Sequence, residues 1–232
     1  MVSQRVNRGT IVTQPIELIR KLYEFDDHED STKPHSISVT TLLGSKFRAA
    51  KYLEDAPRDR SLVHFKFKRS SMIGSAVHQR AELAFSDDPR AVQEIFLERE
   101  LEIDGTVYTI AGKFDLLYRY GEDDIYTIHD WKTGYGKDRK QEALIKDAKQ
   151  MSIYRWLLEG KYKVEDTGWS LAISQSNNWE DAIPVNLMTV DDTEDFIREM
   201  IWTIENNDRV DCSSGIKYNP CTYCDYICEE RK

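Results

Sequence analysis

Apolar and polar positions along this chain follow two different periods, and the change between them separates helical from extended regions. From Ser38 onward apolar residues recur every three or four positions, which predicts an amphipathic helix that ends before Pro57. The same spacing predicts a helix over residues 72–85, and a shorter one is expected over residues 15–24. The first third of the chain is therefore predicted to be mostly helical.

Between residues 92 and 132 the period shortens, and β-branched and aromatic residues become frequent. Turn residues stand at Asp104-Gly105 and again at 121–124. The pattern predicts three antiparallel strands, over residues 94–103, 107–118 and 125–132.

The second of these turns sets the register of the predicted hairpin. If it closes on Glu122-Asp123, paired residue numbers sum to 245, and Asp115 lies opposite Asp130. Side chains alternate along a strand, so Asp130 and Lys132 share one face. The hairpin is thus expected to gather two carboxylates and one amine in a single patch.

Beyond this hairpin the helical and extended periods alternate again. Helices are predicted over residues 141–160 and 191–206, and strands over 168–174 and 183–190. The order of elements predicts a mixed α/β protein, and 232 residues suffice for one large domain.

Composition narrows the setting in which the protein works. No run approaches the roughly 20 apolar residues that span a bilayer, so a cytoplasmic protein is expected, with no membrane partner. A formal net charge of −9 argues against coating nucleic acid by bulk electrostatics. The charge is uneven, however, because residues 1–80 carry a net charge of +5.

The positive charge is concentrated in residues 44–69, which is typical of a segment that follows a phosphate backbone. An ordinary solvated helix face and loop would have the same composition. The candidate nucleic-acid contacts in this stretch are Lys46, Arg48, Lys66, Lys68 and Arg69.

The hairpin patch has the composition of a site for phosphodiester hydrolysis. Such a reaction uses a hard divalent cation held by oxygen ligands and a positive charge that stabilises the phosphorane. Asp115 and Asp130 can supply ligands, with the backbone carbonyl of Trp131 as a third. Lys132 can orient the water and stabilise the developing negative charge. Strands also alternate charges for solubility, but Asp115 interrupts the apolar run from Phe114 to Leu117.

Four motifs occur here in an order that resembles the PD-(D/E)XK nuclease superfamily, and within it the RecB-type exonuclease group with its CRISPR adaptation exonucleases. A helix motif with His78 and Glu82 comes first, and Gly112-Lys113-Phe114-Asp115 resembles the G-x-x-D motif. Asp130 to Gly134 resembles D-x-K-T-G, and Gln150 to Tyr154 resembles Q-x-x-x-Y. The resemblance implies a restriction-endonuclease-like core, in which helices flank a central mixed β-sheet.

The resemblance also assigns roles to single residues. It makes His78 a metal ligand, and an imidazole beside carboxylates favours Mn²⁺ over Mg²⁺. Glu82 is either a supporting residue or an ordinary surface residue. Gln150 and Tyr154 contact the substrate backbone or position Lys132, and the alternative is that they form a polar stripe on a partly buried helix. Lys113 either meets phosphate or is solvated.

The C-terminal cysteines depart from the pattern of these relatives. Many RecB-type exonucleases hold a 4Fe-4S cluster with one cysteine ahead of the first helix motif and three at the C-terminus. Cys221, Cys224 and Cys228 resemble the C-terminal three, but Ser45 stands about where the upstream cysteine is expected. The first possibility is therefore a 4Fe-4S cluster with Cys212 as the fourth ligand. A Zn²⁺ site made by the local thiols is the second possibility, and a tail without metal is the third. The four thiols belong to Cys212, Cys221, Cys224 and Cys228.

The sequence thus predicts one nuclease domain over residues 1–232, with a helical and basic region to residue 70, a catalytic core over 71–208 and a cysteine-rich tail. The expected function is that of a metal-dependent DNA exonuclease in repair, recombination or replication, bacterial or phage-encoded. It would act on single strands or duplex ends, as a monomer or an oligomer. The alternative is a catalytically silent protein that keeps the nuclease fold to bind or inhibit.

Overall fold

A computed structural model describes residues 33–44, 46–56, 65–133, 141–173 and 180–206. In this part of the chain five helices lie among nine strands. The helices are α1 (Val39–Leu42), α2 (Lys46–Leu53), α3 (Phe65–Phe85), α4 (Gln141–Leu158) and α5 (Val190–Glu205). The strands are β1 (Ser36–Ser38), β2 (Ala91–Gln93), β3 (Phe96–Ile103), β4 (Thr106–Lys113), β5 (Leu116–Tyr118), β6 (Ile125–Thr133), β7 (Lys163–Val164), β8 (Thr167–Ile173) and β9 (Glu180–Asn186).

The strands form two sheets that are joined through the chain between β4 and β5. The smaller sheet has the order β1-β4-β3, and the larger has the order β2-β5-β6-β8-β9 with β7 also pairing with β6. β6 pairs with β8 and β7 in parallel and with β5 in antiparallel orientation, so the larger sheet is mixed. With helices packed on this sheet, the predicted restriction-endonuclease-like α/β fold is confirmed.

The hairpin register predicted from sequence is correct, although its turn is longer than expected. Leu116 pairs with His129 and Tyr118 with Thr127, and both pairs sum to 245. Pairing stops at Tyr118, so the hairpin does not close on the two predicted turn residues. Ile125 and Tyr126 pair instead with β7 on the other side of β6.

The single strand predicted over residues 107–118 is wrong, because Phe114 and Asp115 interrupt it. Its first part, β4, pairs with β3 through the predicted Asp104-Gly105 turn, where both residues have positive φ. Its second part, β5, pairs with β6 in the larger sheet. Phe114 is fully buried at the break, while Asp115 leaves the ladder next to β6. The interruption frees the Asp115 carboxylate from an ordinary strand position.

Two helix predictions also need correction. The helix expected from Ser38 to residue 56 is a strand end followed by α1 and α2, with a turn at Leu43-Gly44 whose amide groups bond back to α1. α3 begins at Phe65 rather than at residue 72. The helix expected over residues 15–24 lies outside the described residues.

The core is centred on α4, which packs against strands of both sheets and against α5. Its buried side chains include Met151, Ile153, Trp156 and Leu157. Because α4 is held from both sides, its polar residues are fixed relative to β6.

None of the described helices has the length and apolar character needed to cross a bilayer. The division of the chain into a single domain with three regions stays a prediction.

Candidate active site

Asp115 lies where β5 begins and binds two neighbouring elements. The backbone N–H of Trp131 on β6 donates a hydrogen bond to Asp115 Oδ2 at 2.6 Å. Asp115 Oδ1 lies 3.3 Å from His78 Nδ1 on α3. The break between β4 and β5 therefore places this carboxylate between a strand and a helix, as the predicted ligand pair His78 and Asp115 requires.

Asp130 and Lys132 lie on the face of β6 that is covered by α4. The Lys132 ammonium contacts Asp130 Oδ2 and also donates to Gln150 Oε1 at 2.9 Å. Gln150 Nε2 in turn donates to the Tyr154 hydroxyl at 3.3 Å. The structure thus joins four predicted site residues in one chain of contacts from β6 to α4.

A fifth member of this network was missed by the sequence reasoning. Asp147 is buried on α4, its Oδ1 is 3.8 Å from Lys132 Nζ, and its Oδ2 accepts a hydrogen bond from Ser170 at 3.1 Å. Ser170 is the β8 residue paired with Asp130, so it faces the same side. Asp147 precedes Gln150 by three residues, and this helical spacing is the signal that indicates its direction.

Packing explains the glycine of the G-x-x-D motif. A Cβ built on Gly112 would lie 2.8 Å from Cε1 of Tyr154 and 2.8 Å from Cγ2 of Val39. Both neighbours are buried, so neither has room to move away. Glycine at this position therefore lets the Tyr154 ring, and with it the Gln150 amide, approach β4 closely.

The charges of the site are shaped by burial and by one another. Burial raises the pKa of Asp130 to about 7, against the opposing charge of Lys132. Burial alone would lower the pKa of Lys132, but the hydrogen bond to Asp130 and the charges of Asp130, Asp147 and Asp115 together outweigh burial and raise this pKa, so the lysine stays cationic. A hydrogen bond to Asp115 raises the pKa of His78. Burial raises the pKa of Tyr154, which keeps its phenol neutral.

The donor set fits a hard divalent cation, although the three predicted ligands are not gathered into one cluster. Within the described ranges, no three His, Cys, Asp or Glu side chains are close enough together to hold a metal ion. His78 and Asp115 are adjacent, whereas Asp130 is turned to Lys132. Apart from that contact, the buried Asp130 Oδ2 accepts no hydrogen bond from the described residues. Two carboxylates and an imidazole are ligands suited to Mn²⁺ or Mg²⁺.

Lys113 and Glu94 form an ion pair of 2.6 Å beside this site. Glu94 follows β2 with a φ of 44°, and its charge contributes to the raised pKa of His78. No sequence pattern pointed to Glu94, because only the pairing of β2 with β5 brings it here. Lys113 is 42% exposed, so a phosphate remains able to reach it.

The other predicted contacts lie elsewhere. Lys46 and Arg48 are on α2, which packs on α5 and β1 rather than on the site. Lys66, Lys68 and Arg69 fall in the first turns of α3, on the helix that carries His78, but their side chains are outside the described set. Glu82 lies exposed one turn beyond His78. The predicted cysteine site also lies outside the described residues, and elemental analysis of purified protein would test its zinc, iron–sulfur and metal-free alternatives.

Fold and site together define a restriction-endonuclease-like domain with a carboxylate–lysine centre. The family model described as PD-(D/E)XK nuclease superfamily matches residues 84–228, which is more than half of the chain. The chain therefore belongs to the PD-(D/E)XK nuclease superfamily, and membership implies nuclease chemistry. The narrower resemblance to RecB-type exonucleases stays a prediction.

One solved structure that resembles this chain is the crystal structure of SSO0001. The likeness covers 85% of this chain and 87% of that one, with a TM-score of 0.59 and 21% sequence identity. At this identity the likeness concerns the fold alone. None of the curated protein sequences matches this chain.

Proposed function

We propose that this protein is a metal-dependent DNA exonuclease of the RecB type, which hydrolyses phosphodiester bonds in repair, recombination or replication. One observation supports the proposal: the contacting pairs His78–Asp115 and Asp130–Lys132 are neighbours, because the N–H of Trp131, which stands between Asp130 and Lys132, donates a hydrogen bond to Asp115. Ligands for a divalent cation with a lysine beside them are suited to metal-dependent hydrolysis of a phosphodiester.

In this proposal His78, Asp115, Asp130 and the Trp131 carbonyl hold Mn²⁺ or Mg²⁺. When bound, the ion supplies an activated water and neutralises charge on the phosphate. A site shared by all three side chains requires the Asp130 carboxylate to turn away from Lys132. Apart from its contact with Lys132, the buried Oδ2 of Asp130 accepts no hydrogen bond from the described residues, which is consistent with this exchange.

Lys132 supplies a positive charge to the site from the protein itself. Its ammonium is fixed by Gln150 at 2.9 Å and lies 3.8 Å from Asp147, so both contacts remain when Asp130 turns to the metal. An ammonium held in this way can donate a hydrogen bond to the attacking water and stabilise the phosphorane. Gln150 and Tyr154 thus act mainly by positioning Lys132.

The alternative, a silent protein that binds or inhibits, is less well supported. A chain that had lost catalysis would be free to lose the site lysine or one of the carboxylates. Here Asp115, Asp130 and Lys132 are all present, and each is held by a specific contact. A complete set, in which Asp130 is buried and Asp115 and Lys132 are mostly buried, favours turnover.

Digestion of end-labelled single-stranded and duplex DNA with Mn²⁺ or Mg²⁺ tests the proposal. Wild type is expected to release short labelled products, and Asp130→Asn to release none above background. Asp124→Asn is the matched control, because Asp124 is 84% exposed in the same hairpin. Full activity of Asp130→Asn, or no digestion by wild type with either ion, would overturn the proposal.

A further inference from the structure

The second face of β6 opens onto a pocket that the metal site does not use. Trp131 and Thr133 alternate with Asp130 and Lys132, so their side chains point toward α3 rather than α4. A Cβ on Gly74 of α3 would lie 3.5 Å from Thr133 Oγ1, which confirms that α3 covers this face. Between α3, Trp131 and Ile173 lies a pocket of about 750 Å³.

The lining of this pocket is apolar, with one positive charge. Besides Trp131 and Ile173 it includes Ala76, Val77 and Phe85 of α3, and its single charged residue is Arg80. Arg80 has no hydrogen-bond or ion-pair partner among the described residues, and no carboxylate contributes to the lining. An occupant with an apolar flat body and a nearby negative charge suits such walls.

The pocket adjoins the proposed metal site through two residues. The Trp131 amide is bonded to Asp115 at 2.6 Å, and Val77 precedes His78 on α3. A molecule in the pocket therefore lies against the residue that is bonded to Asp115 and against the residue that precedes His78, the two predicted ligands that contact each other.

Aromatic rings continue from the far end of the pocket. The Phe85 ring is 6.0 Å from Tyr118, and Tyr118 is 5.0 Å from Tyr120, which is 67% exposed. These rings pack edge to face, and Tyr120 is the exposed one of the three, so it offers a ring on which a further unpaired base can stack.

We propose that this pocket binds an unpaired nucleobase of single-stranded DNA next to the bond that is cut. The proposal rests on the proposed nuclease function and deepens it, because it names the form of DNA that the site takes. A base inside a duplex is stacked and paired, so it enters such a pocket only after it is freed. A volume of about 750 Å³ is within the range of pockets that hold small ligands and leaves room for the sugar.

A binding experiment on the full chain in EDTA tests the pocket without cleavage. Fluorescence anisotropy compares a short single-stranded oligonucleotide with one of the same length whose sugars carry no bases. Wild type is expected to bind the base-containing strand about tenfold more tightly, since base–aromatic stacking gives an advantage of that order. This measurement needs no variant, so it does not depend on how a substitution folds.

Filling the pocket gives the second arm of the test. Ala76→Phe is expected to remove the preference for the base-containing strand, whereas Leu83→Phe is expected to keep it. Leu83 is the matched control because it lies on the same helix, is 64% exposed and does not line the pocket. Binding of a blunt duplex should be the same in both variants and in wild type.

The outcomes separate this proposal from the nuclease proposal. Equal binding of both strands by wild type would overturn the nucleobase pocket. Loss of preference in Leu83→Phe as well as in Ala76→Phe would overturn it too. If wild type prefers the base-containing strand but cuts no DNA with Mn²⁺, the pocket stands and the nuclease function fails. If wild type cuts DNA without the preference, the reverse holds.

Discussion

The two faces of β6 differ in almost every physical respect. On the α4 face, Asp130 and Ser170 are buried and form part of a closed polar network with Lys132. On the α3 face, the half-buried Trp131 borders an open apolar pocket. A single strand therefore separates a rigid polar centre from an accessible apolar surface. The consecutive residues Asp130 and Trp131 lie on opposite sides of it.

The contrast teaches how the proposed work is divided. Groups that must keep an exact geometry are held best by buried hydrogen bonds, because each unmade bond in the interior is costly. A substrate must enter and leave, so its binding surface has to stay open. In this protein the α4 face would position the chemistry, and the α3 face would receive the DNA.

Loss of the Lys132 ammonium is expected to have the largest effect. Lys132→Ala should lower kcat by about 10²–10³-fold, the usual cost of removing one group that stabilises transition-state charge. Initial rates with Mn²⁺ and single-stranded DNA measure it. Lys161→Ala, which removes an exposed lysine just after α4, should leave the rate unchanged. Cleavage by Lys132→Ala at the wild-type rate would remove the α4 face from the chemistry.

Asp147 is expected to come next, because it acts through Lys132. Asp147→Ala removes a charge near Lys132 and the hydrogen bond that Asp147 accepts from Ser170. We expect the free energy of unfolding to fall by about 1–3 kcal/mol and kcat to fall by about tenfold, the effect of roughly 1.4 kcal/mol on a barrier.

Two readouts separate positioning by Asp147 from simple destabilisation. Urea unfolding measures the stability of each variant, and steady-state kinetics measures kcat and KM. Ser170→Ala is the control, because it removes the same hydrogen bond but keeps the charge near Lys132. If both variants lose the same stability and the same kcat, Asp147 is only structural.

The sequence alone predicts the residues on the α4 face of β6 more completely than those on the α3 face. Period-two alternation places Asp130 and Lys132 together, and the hairpin register follows from pairing rules, so this pair and its partner Asp115 were predictable. Asp147 was within reach of helical spacing from Gln150. Each of these inferences needs only local geometry, and the register was confirmed.

The α3 face depends on packing between elements distant in sequence. Glu94 reaches the site because β2 pairs with β5, and the pocket exists because α3 crosses Trp131 and Ile173. No periodic pattern contains these distances. The break at Phe114 and Asp115 was missed for a related reason. The local composition favours one continuous strand, but its first half pairs in the smaller sheet and its second half in the larger.

A matched pair of glycine substitutions tests how tightly each face is packed. Gly112→Ala puts a Cβ 2.8 Å from buried Tyr154, and should cost about 1–3 kcal/mol of stability by overpacking. Gly74→Ala faces only an ordinary contact with Thr133 inside α3, and should gain about 0.5–1 kcal/mol from helix propensity. Urea unfolding compares both with wild type. If Gly112→Ala is as stable as wild type, the packing between β4 and α4 has room for an additional methyl group.

Lys113 at the edge of the site should give the smallest effect, and one that concerns binding. Its ion pair with Glu94 is partly exposed, so Lys113→Ala should change the free energy of unfolding by less than about 1 kcal/mol. If Lys113 also meets phosphate, KM for single-stranded DNA should rise a few-fold with kcat unchanged. The slope of log affinity against log salt concentration should then decrease in magnitude by about 0.7, because one phosphate contact is lost.

Glu94→Gln tells which of these two partners matters to Lys113. This variant leaves the lysine in place without its carboxylate partner, so a phosphate-binding Lys113 should bind DNA as well as in wild type or more tightly. A lysine that serves only the ion pair would give the same salt slope in all three proteins. The charge of Glu94 also contributes to the raised pKa of His78, so kcat is measured together with the affinity. A fall in kcat with unchanged affinity would mean that Glu94 acts on the predicted metal ligand His78 rather than on DNA binding.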